Sequence, residues 1–138
     1  MDRALNYLAL GRKAGLIELG EEPVGAAARA QKARLVLVAQ DAGDHTWRRA
    51  KSFVAGTDQQ CIKVSFTKDE LGFVIGRTSL AIAAITDAAM AASMVKALPD
   101  APKHNAALAV LEEKAAKLKQ RKSEAKAHQR NVRFGKKK

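Results

Sequence analysis

Leu35-Val36-Leu37-Val38-Ala39-Gln40-Asp41 is the stretch that decides how this chain folds. Five apolar residues follow one another with no polar alternation, the pattern of a strand covered on both faces. The polar run from Gln40 to Asp44 ends the strand and can cap a following helix. Basic segments flank it, Arg29 to Arg34 before and Arg48 to Lys51 after. A buried central strand with charged ends is how an α/β domain usually carries a site.

Upstream, Asp2 can cap a helix from about Arg3 to Lys13, with Leu5, Leu8 and Ala9 on one face and Gly15 just past its end. Leu16 to Leu19 is a short strand candidate, stopped by Gly20. Pro23 suits a first helical turn, so Glu22 to Gln31 reads as a second helix with Glu21 and Glu22 set against its dipole. Downstream, a helix starts at Asp44 or His45 and runs through Val54, with Trp47, Ala50 and Val54 on its face. Cys61 to Val64 is the next strand. Thr67 and Glu70 form a capping-box pattern for a short helix, Lys68 to Val74 or Ile75, which ends at Gly76. Leu80 to Ile85 is a second buried strand, and Thr86-Asp87 caps a helix through Ala88, Met90, Met94 and Val95. Helices and strands thus alternate through an α/β layered domain ending near Leu98.

Pro99-Asp100-Ala101-Pro102 breaks both composition and conformation. Beyond it Leu108, Leu111, Ala115 and Leu118 recur at helical spacing, as a lone helix or one docked on the domain. From Lys119 onward apolar anchors nearly vanish, and this end is expected to be disordered without a partner. The sequence thus divides into a domain over residues 1–98 and a basic tail, partly helical and partly disordered, over residues 99–138.

The chain has 138 residues, enough for one hydrophobic core and too few for two full domains. Its net charge of +11 is unevenly placed: residues 1–98 hold 13 Lys/Arg against 10 Asp/Glu, residues 99–138 hold 12 against 4. Such a segment favours a polyanion, whether RNA, DNA or an acidic membrane, unless it is only a solubilising tail. The single cysteine, Cys61, can form no internal disulfide, which fits a reducing compartment. No apolar run approaches transmembrane length, so no membrane partner is expected and the expected location is cytoplasmic.

An enzyme site is hard to assemble. There is no phosphate-loop sequence, no dinucleotide-type glycine fingerprint and no nucleophile elbow, and His45, His104 and His128 have no metal spacing. Catalytic residues, metal ligands and cofactors are therefore not expected. Nucleic-acid binding has more to work with. Arg12 and Lys13 end the first helix, Gly20 permits close backbone approach, Arg29, Lys32 and Arg34 surround the end of the second helix, and Arg77 follows Gly76. Gly76-Arg77-Thr78-Ser79 could offer a guanidinium and hydroxyls to phosphate or sugar. Each also has a plainer reading: Arg12 and Lys13 complement a helix terminus, Arg48 and Arg49 form a solvated face, Gly76 is a C-cap.

Leu8 to Leu16, then Gly20, then Ala33 to Ala42, then Thr67 to Gly72 with Gly76-Arg77, then Ala83 to Asp87, resemble the ribosomal L7Ae/L30e/S12e/Gadd45 family, particularly its small bacterial L7Ae-like branch. The resemblance covers most of residues 4–97. It implies a three-layer α-β-α sandwich with a mixed four-stranded sheet, and recognition of kinked RNA helices without a cofactor. The family's Gly-x-Asn-Glu-x-x-Lys turn falls on Gly20-Glu21-Glu22-Pro23-Val24-Gly25-Ala26. The glycine is kept, while Glu22 takes the amide's place, Pro23 the acid's and Ala26 the lysine's. A carboxylate pair near phosphate is repulsive. The family's second surface, the loop before the last strand, falls on Gly76 to Leu80.

Together these readings point to noncovalent binding of structured RNA, with ribosomal RNA or a kink-turn-like element as the expected kind. The implied contacts are Gly20, Glu21, Glu22, Arg12, Lys13, Arg29, Lys32, Arg34, Gly76, Arg77, Thr78 and Ser79. Lys119, Arg121, Lys122, Lys126, Arg130, Arg133, Lys136, Lys137 and Lys138 would act as an auxiliary electrostatic clamp. Two alternatives stay open. One is a ribosome-associated module that engages a helical partner or ribosomal proteins through Leu108, Leu111 and Leu118; the other is nonspecific DNA binding.

Overall fold

A computed structural model describes residues 2–133, with side-chain surroundings through residue 125. The elements in order are α1 (Arg3–Lys13), β1 (Ile17–Leu19), α2 (Glu21–Arg29), β2 (Leu35–Val38), α3 (Asp44–Val54), β3 (Gln60–Lys63), α4 (Lys68–Val74), β4 (Ile82–Ile85), α5 (Ala88–Ala97), a short 3-10 turn (Ala101–His104) and α6 (Asn105–Arg133). The expected alternation holds to the end of α5.

All four residues of β2 are buried, as are all four of β4. The reason is their position: the sheet order is β1-β4-β2-β3, which places these two strands at the centre. β2 runs parallel to β3, and β4 runs antiparallel to both β1 and β2. Alternate side chains feed two cores. Leu35, Leu37, Ala83 and Ile85 face Leu5, Leu8, Met94 and Val95 on one side. Val36, Val38, Ile82 and Ala84 face Val24, Ala28 and Ala50 on the other. The molecule is therefore an α-β-α sandwich around a mixed four-stranded sheet, the L30e-like topology.

Where element ends differ from the sequence reading, backbone bonds explain it. Leu80 is not in β4, because its N–H donates to the Lys68 carbonyl at 3.0 Å and ties it to the start of α4. Leu16 donates to Gly11 at 2.8 Å and so closes α1 instead of opening β1. α2 stops at Arg29, since Gln31 turns left-handed at φ 60 and Lys32 donates back to Ala27 at 2.8 Å. That is a Schellman cap, in which glycine usually fills the left-handed place.

α6 does not stand apart. Leu111 is 1% exposed and Ala107 is buried with it, both in the core that holds Val95 and Leu98. Lys114 pairs with Asp58, and Lys96 reaches Glu112 at 3.1 Å. Leu108 packs against the same core. The leucines considered as a partner-binding stripe are thus engaged by the chain itself: Leu111 wholly, Leu108 and Leu118 in part. Past Lys119, where apolar anchors run out, the helix continues to Arg133. The side chains of Lys126, Arg130 and Arg133, and all of Lys136, Lys137 and Lys138, lie outside what is described.

Candidate nucleic-acid interface

Strand direction gives the sheet two ends. β1, β2 and β3 all finish at one of them, and β4 starts there. The Gly20 N–H donates to the Ile82 carbonyl at 3.0 Å, and the Ala39 N–H to Ala81 at 2.9 Å. The β1–α2 turn and the exit of the loop over residues 76–81 therefore form one continuous rim. Gly20 sits at φ 95 and ψ 163, a conformation open in practice only to glycine. Glycine thus lets the chain leave β1 and enter α2 in a single residue.

The second loop is shaped by a contact that sequence reading passed over. A Cβ on Gly72, in α4, would lie 2.8 Å from the Ser79 backbone nitrogen and 2.9 Å from the Arg77 carbonyl oxygen. Only the missing side chain lets the strand-entry loop fold back on the helix. Gly76, at φ 74, caps α4, and the Arg77 N–H donates to Gly72 at 2.9 Å. The Arg12 guanidinium donates to the Ile75 carbonyl, binding the end of α1 to the end of α4. Arg12 is thereby a brace for this loop. Gly76, Arg77, Thr78 and Ser79 are exposed, and Arg77 forms no ion pair among the described residues.

At the Gly20 turn the two carboxylates have different fates. Arg49 Nε lies 2.8 Å from Glu21, and the same guanidinium sits 5.3 Å from the Phe53 ring centroid. Glu21 is thus turned toward α3 and neutralised, whereas Glu22 stays exposed. Arg49 is more than a solvated charge: it staples α3 to the start of α2. Pro23 removes one of the N–H groups that a helix start could offer an anion. On the same face Lys51 and Lys63 place their ammonium groups 5.3 and 5.1 Å from the Trp47 ring centroid, a cation–π cluster not legible in the sequence. Burial pushes the Cys61 thiol up to about 12, against an opposing effect of nearby Lys51. It stays protonated and a poor nucleophile.

The remaining site residues lie elsewhere. Lys13 precedes β1, while Arg29, Lys32 and Arg34 precede β2, so these four gather at the sheet end opposite Gly20. Lys119 and Lys122 join them, lining a shallow cavity with Asp87 at the start of α5. The structure therefore brings Gly20 to Glu22 and the exit of loop 76–81 together. Arg12 and Lys13 close α1 at the opposite sheet end, from which the Arg12 side chain reaches the end of α4, and Arg29, Lys32 and Arg34 lie apart from the rim. Among the described residues no cluster of three or more His, Cys, Asp or Glu could hold a metal. No helix among them is long and apolar enough to cross a membrane.

A mixed four-stranded α-β-α sandwich with two exposed loops converging at one sheet end defines the L30e-like class. No protein-family model matches the chain. Over 75 residues it is 32% identical to the RNA-binding protein YlxQ of Enterococcus faecium, covering 54% of this chain and 72% of that protein. A protein of unknown function from Bacillus halodurans C is similar with a TM-score of 0.65 and 24% identity, over 70% of this chain and 96% of that one. The Giardia lamblia 15.5kD RNA binding protein is similar with a TM-score of 0.59 and 20% identity, over 75% and 85%. These two likenesses establish the fold alone. With the YlxQ match, this chain belongs to the L7Ae/L30e family.

Proposed function

We propose that this chain binds structured RNA without covalent chemistry, at the rim formed by Gly20 to Glu22 and the loop from Gly76 to Ser79. The observation that carries this reading is the Gly20 to Ile82 hydrogen bond of 3.0 Å, which joins the two loops into one docking surface. A relative that is itself named an RNA-binding protein supports it. Backbone donors at the turn and the exposed Arg77 guanidinium supply contacts to phosphate and sugar. With Glu22 in the amide's place and Pro23 in the acid's, preference for a kink-turn over other structured RNA is small. The basic tail adds affinity by neutralising phosphates. On this reading the protein is a member of the bacterial L7Ae-like branch that acts in the cytoplasm on ribosomal RNA or a kink-turn-like element.

The test is competition among kink-turn RNA, plain duplex RNA and duplex DNA at fixed salt, with Arg77→Ala and a truncation after Leu118. The cut belongs there because one after Leu98 would expose the core that Leu111 covers. Both changes are expected to weaken RNA binding, Arg77→Ala by about 5–10-fold, the equivalent of roughly 1–1.4 kcal/mol. Unchanged affinity in both, or preference for DNA, would remove the assignment.

A further inference from the structure

Lys13, Lys32 and Arg34 lie at the sheet end away from Gly20, whereas Arg3, Arg48, Lys63, Lys68 and Arg77 lie toward the rim. At the far end Lys13 and Lys32 are exposed and form no ion pair among the described residues, while the exposed Arg29 turns its guanidinium back along α2 toward Gly25 and Phe53. The docked helix brings more. The Lys114 pair with Asp58, just before β3, ties α6 to this end, and Lys119 and Lys122 extend the positive surface beside Asp87. Two of the carboxylates nearest the strand ends are already used, and Glu124 remains exposed beside Lys122 on α6. Asp58 is held by Lys114, and Asp87 caps α5 through the Met90 N–H at 2.8 Å. Arg34 belongs to the same group: it helps hold the Asp58 carboxyl below its ordinary value, behind the larger effect of the Lys114 hydrogen bond. From β1 to β3 the end spans about 14 Å, three strand spacings of about 4.8 Å.

We propose that this end is a second RNA-backbone site, separate from the rim, so that one molecule holds two RNA segments at once. The RNA class rests on the function proposed above; the existence of a second site rests on charge placement. Its contacts are lysine and arginine side chains on phosphates, with no buried pocket for a base, so it takes duplex or single strand without regard to sequence. α6 projects from the same end and prolongs the surface along the bound backbone. The rim selects by shape, while the far end holds by charge.

The experiment uses the full chain, a kink-turn RNA with one fluorophore and a plain duplex RNA with another. Energy transfer between them reports bridging, sedimentation fixes one protein per pair, and affinity for each RNA alone is followed against salt. The variant Lys13→Gln, Lys32→Gln, Lys119→Gln, Lys122→Gln alters only exposed side chains. It is expected to abolish bridging and to lower the salt slope for plain duplex by about one for each lysine in contact. It should leave kink-turn RNA bound and still sensitive to Arg77→Ala. Bridging and slope unchanged in the variant overturn the proposal, as does their equal loss in Arg77→Ala, which would mean a single face. Loss of plain duplex in the lysine variant, with no effect of Arg77→Ala on either RNA, upholds the far site and overturns the rim. If the unmodified chain binds neither RNA, both fall.

Discussion

The two ends of the sheet differ in charge, and the cause is the way helices return between strands. α1, α2 and α3 begin at the Gly20 end and finish at the other. Helix starts favour acids and helix ends favour bases, because of the dipole and the unpaired backbone groups. Asp2, Glu21, Glu22 and Asp44 accordingly stand at the rim, where Asp41 also accepts the Lys68 N–H at 2.8 Å. Lys13 and Arg29 stand at the far end. A polyanion at the rim would depend on shape and on cations such as Arg77 against the acids gathered there. At the far end it would meet positive charge with less opposition. Residues that merely stabilise each helix, summed over parallel neighbours, become a property of the surface.

This comparison can be broken first at the docked helix. Leu111→Ala should destabilise the protein by about 2–5 kcal/mol, the usual cost of a buried leucine truncation, seen as a lower denaturant midpoint. It should also loosen the positive surface that α6 completes while sparing the rim. A smaller loss would mean that α6 rests on the domain without being part of its core.

The rim is most exposed at Gly72. Its added methyl would meet the Ser79 and Arg77 backbone, which cannot give way as a side chain tip can. Gly72→Ala should cost about 1–3 kcal/mol, in the range of overpacking. It should displace loop 76–81 and weaken rim binding, with the salt slope for plain duplex unaltered. Equal damage to both would join the two ends into one site.

Gln31→Gly, at the far end, should stabilise by about 1 kcal/mol, since the left-handed cap at φ 60 costs a side chain that much. Thermal unfolding measures it, and a lower midpoint would contradict the cap. The smallest effect concerns acid. Lys114 holds the Asp58 carboxyl below its ordinary 3.8, so the pair stabilises above that pH and is lost as pH falls through the lowered folded value. Asp58→Asn should remove this acid dependence, read as α6 hydrogen exchange at pH 5 and pH 3. Because the pair is exposed to solvent, the change should be slight.

Much of the architecture was legible in advance because local rules agree with the global fold here. Asp2 and Thr67 cap as their sequence contexts require, Thr67 with the full capping box to Glu70. Unbroken apolar runs mark β2 and β4 as central. The interface was less legible. Arg12 is a brace for the second loop, Arg49 a staple for Glu21, and neither role follows from a basic residue near a helix end. Side-chain partners many residues apart leave no periodic trace.

The amino-acid order by itself determined the element sequence, the buried pair of strands, the family and the excess of positive charge. Local propensity, hydrophobic period and capping chemistry are properties of short segments. Only the tertiary structure decided that Gly20 and loop 76–81 share a rim, that Leu111 closes the core, and that Lys13, Lys32, Lys119 and Lys122 lie at the opposite end. Those facts depend on strand direction and register, which are set by which segments pair across the sheet and not by any one segment's composition.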